Sequence, residues 1–140
     1  MPRKLSMLER FSTKVELGPT PSDCWGWLGC KSERGYGKVL AVDRSRPLLA
    51  HRVAWELFRG IIPVGKSVLH ACDNPACTNI NHLWLGDQRE NMRDCAAKRR
   101  LAQQRRTHCP AGHLLDGDNL MTCPSLNGRR SCRACHNVRA

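Results

Sequence analysis

The stretch 69–91, LHACDNPACTNINHLWLGDQREN, constrains the fold more than any other part of the chain. It gathers His70, Cys72, Cys77, His82 and Asn91 into one short segment. Cys72-x4-Cys77-x4-His82 offers two thiolates and an imidazole, and zinc takes such ligands in tetrahedral sets of four. Three are local, so the fourth has to come from elsewhere. His70 stands one strand period before Cys72, which puts both on one face of a strand. Leu83, Trp84 and Leu85 read as a second strand that Gly86 ends. Asp87 and Glu90 have capping-box spacing, so a helix should begin there with Asn91 one turn in. The order is strand with His, metal-tied loop, strand, helix with Asn. Such a ββα unit would aim an imidazole and an amide oxygen at one point.

A chain of 140 residues makes one domain, with room for an appendage. Only 5% of residues are aromatic, so the core should be thin and metal staples would compensate. The formal net charge of +11 favours a polyanionic partner, nucleic acid before an acidic membrane surface. No apolar run approaches the roughly 20 residues of a membrane-spanning helix. The opening MPRKLSMLERF is basic and has no apolar centre, which argues against a secretory signal. The nine cysteines stand largely in close pairs beside histidines, which points to zinc and a reducing, cytoplasmic compartment rather than disulfides.

Taken in order, Leu5, Leu8 and Phe11 have helical spacing and suggest a short covering helix, with a DNA-touching arm through Arg3 and Lys4 as the other reading. Residues 24–30 and 36–42 read as a hairpin. Cys24 is the natural fourth zinc ligand, and Cys30 is its rival. Residues 43–47 form a basic turn with Arg44 and Arg46. Residues 48–59 form an amphipathic helix ended by Gly60, in which His51 reads as a packing histidine. Beyond Asn91 the helix is expected to run on through Lys98, Arg99 and Arg100 towards Arg105 and Arg106, a cationic stripe for phosphates. The tail holds a second set of four, Cys109-x3-His113 and Cys132-x2-Cys135, with Cys123, His108 and His136 as rivals. Arg129, Arg130, Arg133 and Arg139 would help it dock on DNA; a stabilising clip or a dimer contact is the plainer role. Two parts follow, a main unit over 1–106 that ends in the basic helix and a Cys/His unit over 107–140 that resembles a small zinc ribbon or knuckle.

The spacing of His70, Cys72, Cys77, His82 and Asn91 resembles that of the His-Cys box homing endonucleases. The wording CDNPACTNINHLWLGDQRENMRD resembles the phage and intron-encoded HNH endonucleases. Both are ββα-metal, or His-Me finger, nucleases, and the likeness runs over about residues 24–100. It implies an α+β, zinc-stabilised ββα-metal fold with a small antiparallel sheet and a C-terminal zinc-binding unit. It also implies a divalent-metal-dependent endonuclease acting on double-stranded DNA, either as a monomer or as a homodimer. In that family a histidine is the general base, here His70, whose ordinary pKa near 6.5 leaves it able to take a proton from water. Asn91 would hold Mg²⁺ or Mn²⁺, and two zinc ions would be structural. An upstream cysteine, here Cys24, would complete the first zinc set. Arg44 or Arg46 would reach the scissile phosphate. His51-Arg52 resembles the AHR stretch of HNH relatives. Related HNH enzymes often carry an acid just before the histidine; this chain has Leu69, closer to the His-Cys box pattern. His82 suits zinc by its spacing better than it suits catalysis. Catalytic zinc is disfavoured because both sets have four protein ligands and no open position. The rival function is a non-catalytic, zinc-dependent DNA-binding regulator built on the same fold.

Overall fold

Helix α2 (Ala50–Phe58) collects the core of the first part of the chain. Ala50, Val53 and Ala54 recur at helical spacing and are all buried. Phe11, Trp27, Val39, Val68 and Leu83 close around them, and each comes from a different element. They belong respectively to α1 (Met7–Ser12), β2 (Gly26–Trp27), β3 (Lys38–Leu40), β5 (Ser67–His70) and β6 (Leu83–Gly86). Ser6 caps α1 and pairs with Glu9 in a capping box, which fixes where this six-residue helix starts and sends Phe11 inward.

The computed structural model describes the chain except residues 1, 2, 42, 44, 45, 124–128 and 140, and the side chains of residues 103, 123, 129 and 139. Arg44 therefore lies outside the described residues. The architecture is α+β with short antiparallel pairs: β1 (Val15–Glu16) with β2, β3 with β4 (Pro47–Leu49), β5 with β6, and β7 (Leu120–Cys123) with β8 (Arg129–Cys132). Among the described residues no helix is long and apolar enough to cross a membrane.

Three local expectations are revised. The hairpin of 24–30 with 36–42 is reduced to one bridge, Lys31 with Gly37. β2 pairs instead with β1, and β3 with β4. Trp27 is the cause: its indole N–H turns back onto the Cys30 carbonyl at 3.2 Å, and its ring lies where a Cβ on Gly37 would sit 2.6 Å away. Second, residues 48 and 49 belong to β4, so the helix begins at Ala50. Gly60 does follow it, with φ +100. Third, β5 stops at His70. The Ala71 N–H bonds to the His82 carbonyl at 2.8 Å and Asp73 turns left-handed at φ 59, so Cys72 is on a turn and not on the strand face.

The chain divides into two compact units, Met1–Asp87 and Gln88–Ala140. The division falls earlier than residue 106 because the basic segment packs with the tail. Arg130 donates to the carbonyls of Gln104, Arg106 and Leu115. In this unit α3 (Gln88–Ala97) ends before the basic run, Arg99 takes φ 53, and a separate short α4 (Ala102–Arg105) follows. The continuous basic helix expected beyond Asn91 is therefore broken. Helix α5 (Arg133–Arg139) closes the unit.

Candidate functional site

Cys24, Cys72, Cys77 and His82 converge in the first unit, their ligand atoms all within 4.8 Å of one another. His82 Nδ1 lies 3.6 Å from Cys24 Sγ and 3.5 Å from Cys77 Sγ. A tetrahedron with zinc–sulfur bonds near 2.3 Å and zinc–nitrogen bonds near 2.0 Å has edges of about 3.5–3.8 Å, so the donor set fits zinc. The far ring nitrogen, Nε2, lies 2.9 Å from the Ser22 carbonyl, which can only accept. That bond makes Nε2 the protonated nitrogen and leaves the Nδ1 lone pair available to a metal, the outer support commonly given to a metal-binding imidazole. The Asn79 N–H points at Cys77 Sγ at 3.4 Å. Burial pushes the Cys77 thiol up to about 12, so a cation is what would hold it ionised. Cys30, the rival ligand, is exposed and stands apart from the set.

Asn79 braces this cluster. It is fully buried. Its amide donates to the carbonyls of Pro21 at 2.9 Å and Asp23 at 2.6 Å, and its Oδ1 accepts from the Asn81 N–H at 2.9 Å. The segment carrying Cys24 is thereby tied to the loop carrying Cys77. Asn74 shapes the start of the same loop by accepting from the Ala76 N–H at 3.1 Å.

The second unit holds Cys109, His113, Cys132 and Cys135 with the same mutual closeness. His113 Nδ1 lies 3.5, 3.6 and 3.3 Å from the sulfurs of Cys109, Cys132 and Cys135. The N–H groups of His113 and Cys135 point at the sulfurs of Cys109 and Cys132, at 3.3 and 3.5 Å. Such donors favour the thiolate, and the Cys135 N–H is the main cause that brings Cys132 down to about 6. Contact with Cys109 and then Cys132 drives Cys135 the other way, up to about 11. A divalent cation would relieve that conflict between neighbouring sulfurs. Asn119 supports this set through its Oδ1, which accepts from the Ala134 N–H at 3.0 Å and lies 3.5 Å from Cys132 Sγ. The rivals His108 and His136 lie outside this set, and the Cys123 side chain is not among those described.

His70 ends β5, opposite Leu83. Its Nε2 donates to the Cys77 carbonyl at 3.0 Å, so in the neutral ring Nδ1 carries the lone pair. Burial lowers its pKa, and the bond to Cys77 opposes that shift. A neutral imidazole with a fixed tautomer is suited to take a proton. Two further rings stand beside it. His51 of α2 is 4.8 Å away between ring centroids, and Tyr36, on the turn before β3, is 6.0 Å away. Tyr36 carried no signal in the sequence, since only the fold brings that turn to the end of β5.

The remaining residues divide by unit. Arg46, in the first, is exposed. Asn91, in the second, is half-buried on α3, its Oδ1 3.9 Å from the Cys95 sulfur one turn on. Lys98 and Arg100 both pair with Asp94, Lys98 at 3.1 Å. Arg99, Arg105 and Arg106 are exposed.

Residues 48–93 match the HNH endonuclease family. That span carries every residue discussed above from His51 to Asn91; Cys24 and Tyr36 lie before it. Among curated proteins the chain is similar to Protein 2.8 of Escherichia phage T7, 40% identical over 96 residues, which is 69% of this chain and 64% of that protein. It is also similar to Protein 7.7 of the same phage, 38% identical over 81 residues, 58% of this chain and 61% of that protein. The uncharacterized gene 5.3 protein of Enterobacteria phage T3 is 33% identical over 54 residues, 39% of this chain and 54% of that protein. The chain thus spans less than two thirds of the length of each of these relatives. No solved structure matches it. The histidine-bearing β-hairpin and the α3 asparagine both lie inside the span that matches the HNH endonuclease family, so that is the family this segment of the chain is similar to.

Proposed function

We propose that the protein is a divalent-metal-dependent DNA endonuclease that hydrolyses phosphodiester bonds. The observation that carries this reading is the His70–Cys77 hydrogen bond within a segment of the HNH endonuclease family. It commits Nε2 as a donor, so Nδ1 is the nitrogen that takes the proton from the attacking water. The oxygen of that water forms the new bond to phosphorus as the bond to the 3′ oxygen breaks. Asn91 offers an amide oxygen, a hard donor suited to Mg²⁺ or Mn²⁺, which keep several waters and bind substrate phosphates. A cation held there would neutralise charge on the phosphate and the leaving oxygen. Arg44 or Arg46 would add positive charge at the phosphate, and Arg99, Arg105 and Arg106 would hold the DNA backbone. Lys98 and Arg100 contribute less to that grip, because Asp94 already engages both. The two Cys/His sets are structural zinc sites in this reading: four protein ligands leave no position for substrate.

The test is supercoiled plasmid with Mg²⁺, beside His70→Ala matched for zinc content and folding. Cleavage by the parent and its loss in the variant would support the reading. Equal cleavage by both would refute the assignment of the base. A second reading, a zinc-dependent DNA-binding regulator, draws on Leu69, which stands where related HNH enzymes often place an acid. It predicts that the parent binds DNA without cutting it and that binding survives both His70→Ala and Asn91→Ala.

A further inference from the structure

His51 is a costly residue for its place. It is 4% exposed, among the buried residues that line α2. Its Nδ1 is buried and has no hydrogen-bond partner among the described residues. An unsatisfied buried polar atom in a native fold calls for an explanation, because a hydrocarbon side chain would fill the space without that penalty. The ring's surroundings show what its flat faces meet. Its centroid lies 4.8 Å from that of His70 with a 55° tilt, and 5.3 Å from that of Tyr36 with a 42° tilt. Tyr36 and His70 are themselves 6.0 Å apart. All three separations fall in the range where flat rings attract one another in tilted arrangements. Three elements thus meet at His70: the loop carbonyl of Cys77 holds one nitrogen, and rings from α2 and the turn before β3 line one side of it.

We propose that His51 is a positioning residue for His70: its buried ring, backed by Tyr36, fixes the His70 rotamer so that Nε2 stays on the Cys77 carbonyl and Nδ1 points away from it. The Cys77 bond alone leaves the ring free to rotate about its N···O direction, and a wall of flat rings removes that freedom. The role in cleavage rests on the endonuclease reading; the role in orienting the ring does not.

The experiment uses the full, zinc-loaded chain with ¹⁵N-labelled histidine. The two ring-nitrogen shifts of His70 report which nitrogen carries the proton and whether the ring samples more than one state. The parent is expected to show one well-separated pair, the Nε2–H form. In His51→Ala the pair should draw together or broaden, and His51→Phe, which restores a flat ring, should return it. In plasmid cleavage the alanine variant should lose about 10–100-fold in kcat with KM unchanged, the size of effect that a misaimed catalytic group produces, and the phenylalanine variant should recover most of it. Unchanged His70 shifts in a folded His51→Ala protein would overturn the proposal. Should that variant fail to fold, Tyr36→Leu decides: drawn-together or broadened shifts support the ring wall, and unchanged shifts refute it. If the parent shows the expected shifts and never cuts DNA, the endonuclease reading falls while the positioning role stands.

Discussion

Asn79 shows how much of the site depends on a residue that touches no substrate. Its replacement by alanine strands the carbonyls of Pro21 and Asp23 and the N–H of Asn81, all of which it now satisfies. Pro21 and Asn81 are exposed, so water can take over part of these bonds, and Asn79→Ala should destabilise the first unit by about 1–3 kcal/mol, read as a lower urea midpoint, and should weaken metal binding by the Cys24 set. His51 sets a pH limit at the same scale. Burial, followed by the charges of His70 and Arg52, lowers its pKa to about 3, below the ordinary 6.5 of the unfolded chain. The folded state therefore binds fewer protons than the unfolded state between those values. Stability contributed by the neutral ring is complete above pH 6.5 and falls as pH drops towards about 3, by up to about 1.4 kcal/mol for each pH unit. His51→Phe should lose less stability than the parent across that window, measured by denaturant titrations at matched zinc. The sequence made the sulfur and imidazole donors easy to find, because few residue types bind zinc and their spacing is short. It was silent on Tyr36, Ser22 and Asn119, whose parts are played by a ring face, a main-chain carbonyl and an amide brought in from other elements.

At the scale of elements, β5, the Cys/His-bearing loop and β6 were legible as a strand–loop–strand unit followed by α3, since the Cys/His pattern and the strand pattern agree. The supporting pairings were less legible. Alternation over residues 24–30 suggested a long strand, but only Gly26–Trp27 pairs, because the Trp27 ring fills the space beside Gly37. Gly37→Ala would push a Cβ into that ring and should destabilise the first unit, seen as a lowered melting temperature and altered tryptophan fluorescence. In the zinc reading the tail depends on its Cys/His set more heavily still. Of its described residues only Leu115 and Cys132 are buried, too little apolar surface to hold β7, β8 and α5 together. Cys132→Ser should halve the zinc content from two ions per chain to one and open residues 107–140 to protease, while the protection of β5 and β6 against amide exchange persists. Retention of both ions by that variant would count against this assignment of ligands.

For the molecule as a whole, a net charge of +11 on 140 residues suits a polyanionic partner, and in the DNA-binding reading the pairing of those charges decides the grip. Lys98 and Arg100 are occupied by Asp94, whereas Arg99, Arg105 and Arg106 are exposed. Joint replacement of the exposed three by alanine should flatten the slope of log affinity for DNA against log salt by about 3, near 0.9 for each phosphate no longer neutralised. Lys98→Ala should leave the slope almost unchanged. Cys77 meanwhile offers its sulfur to the first Cys/His set and its carbonyl to His70. Side-chain replacement can substitute the first contribution and has no means of substituting the second. A ligand swap such as Cys77→His could keep an ion and still shift the main chain beneath His70. Counting bound zinc would then certify as sound a protein that has lost its aim.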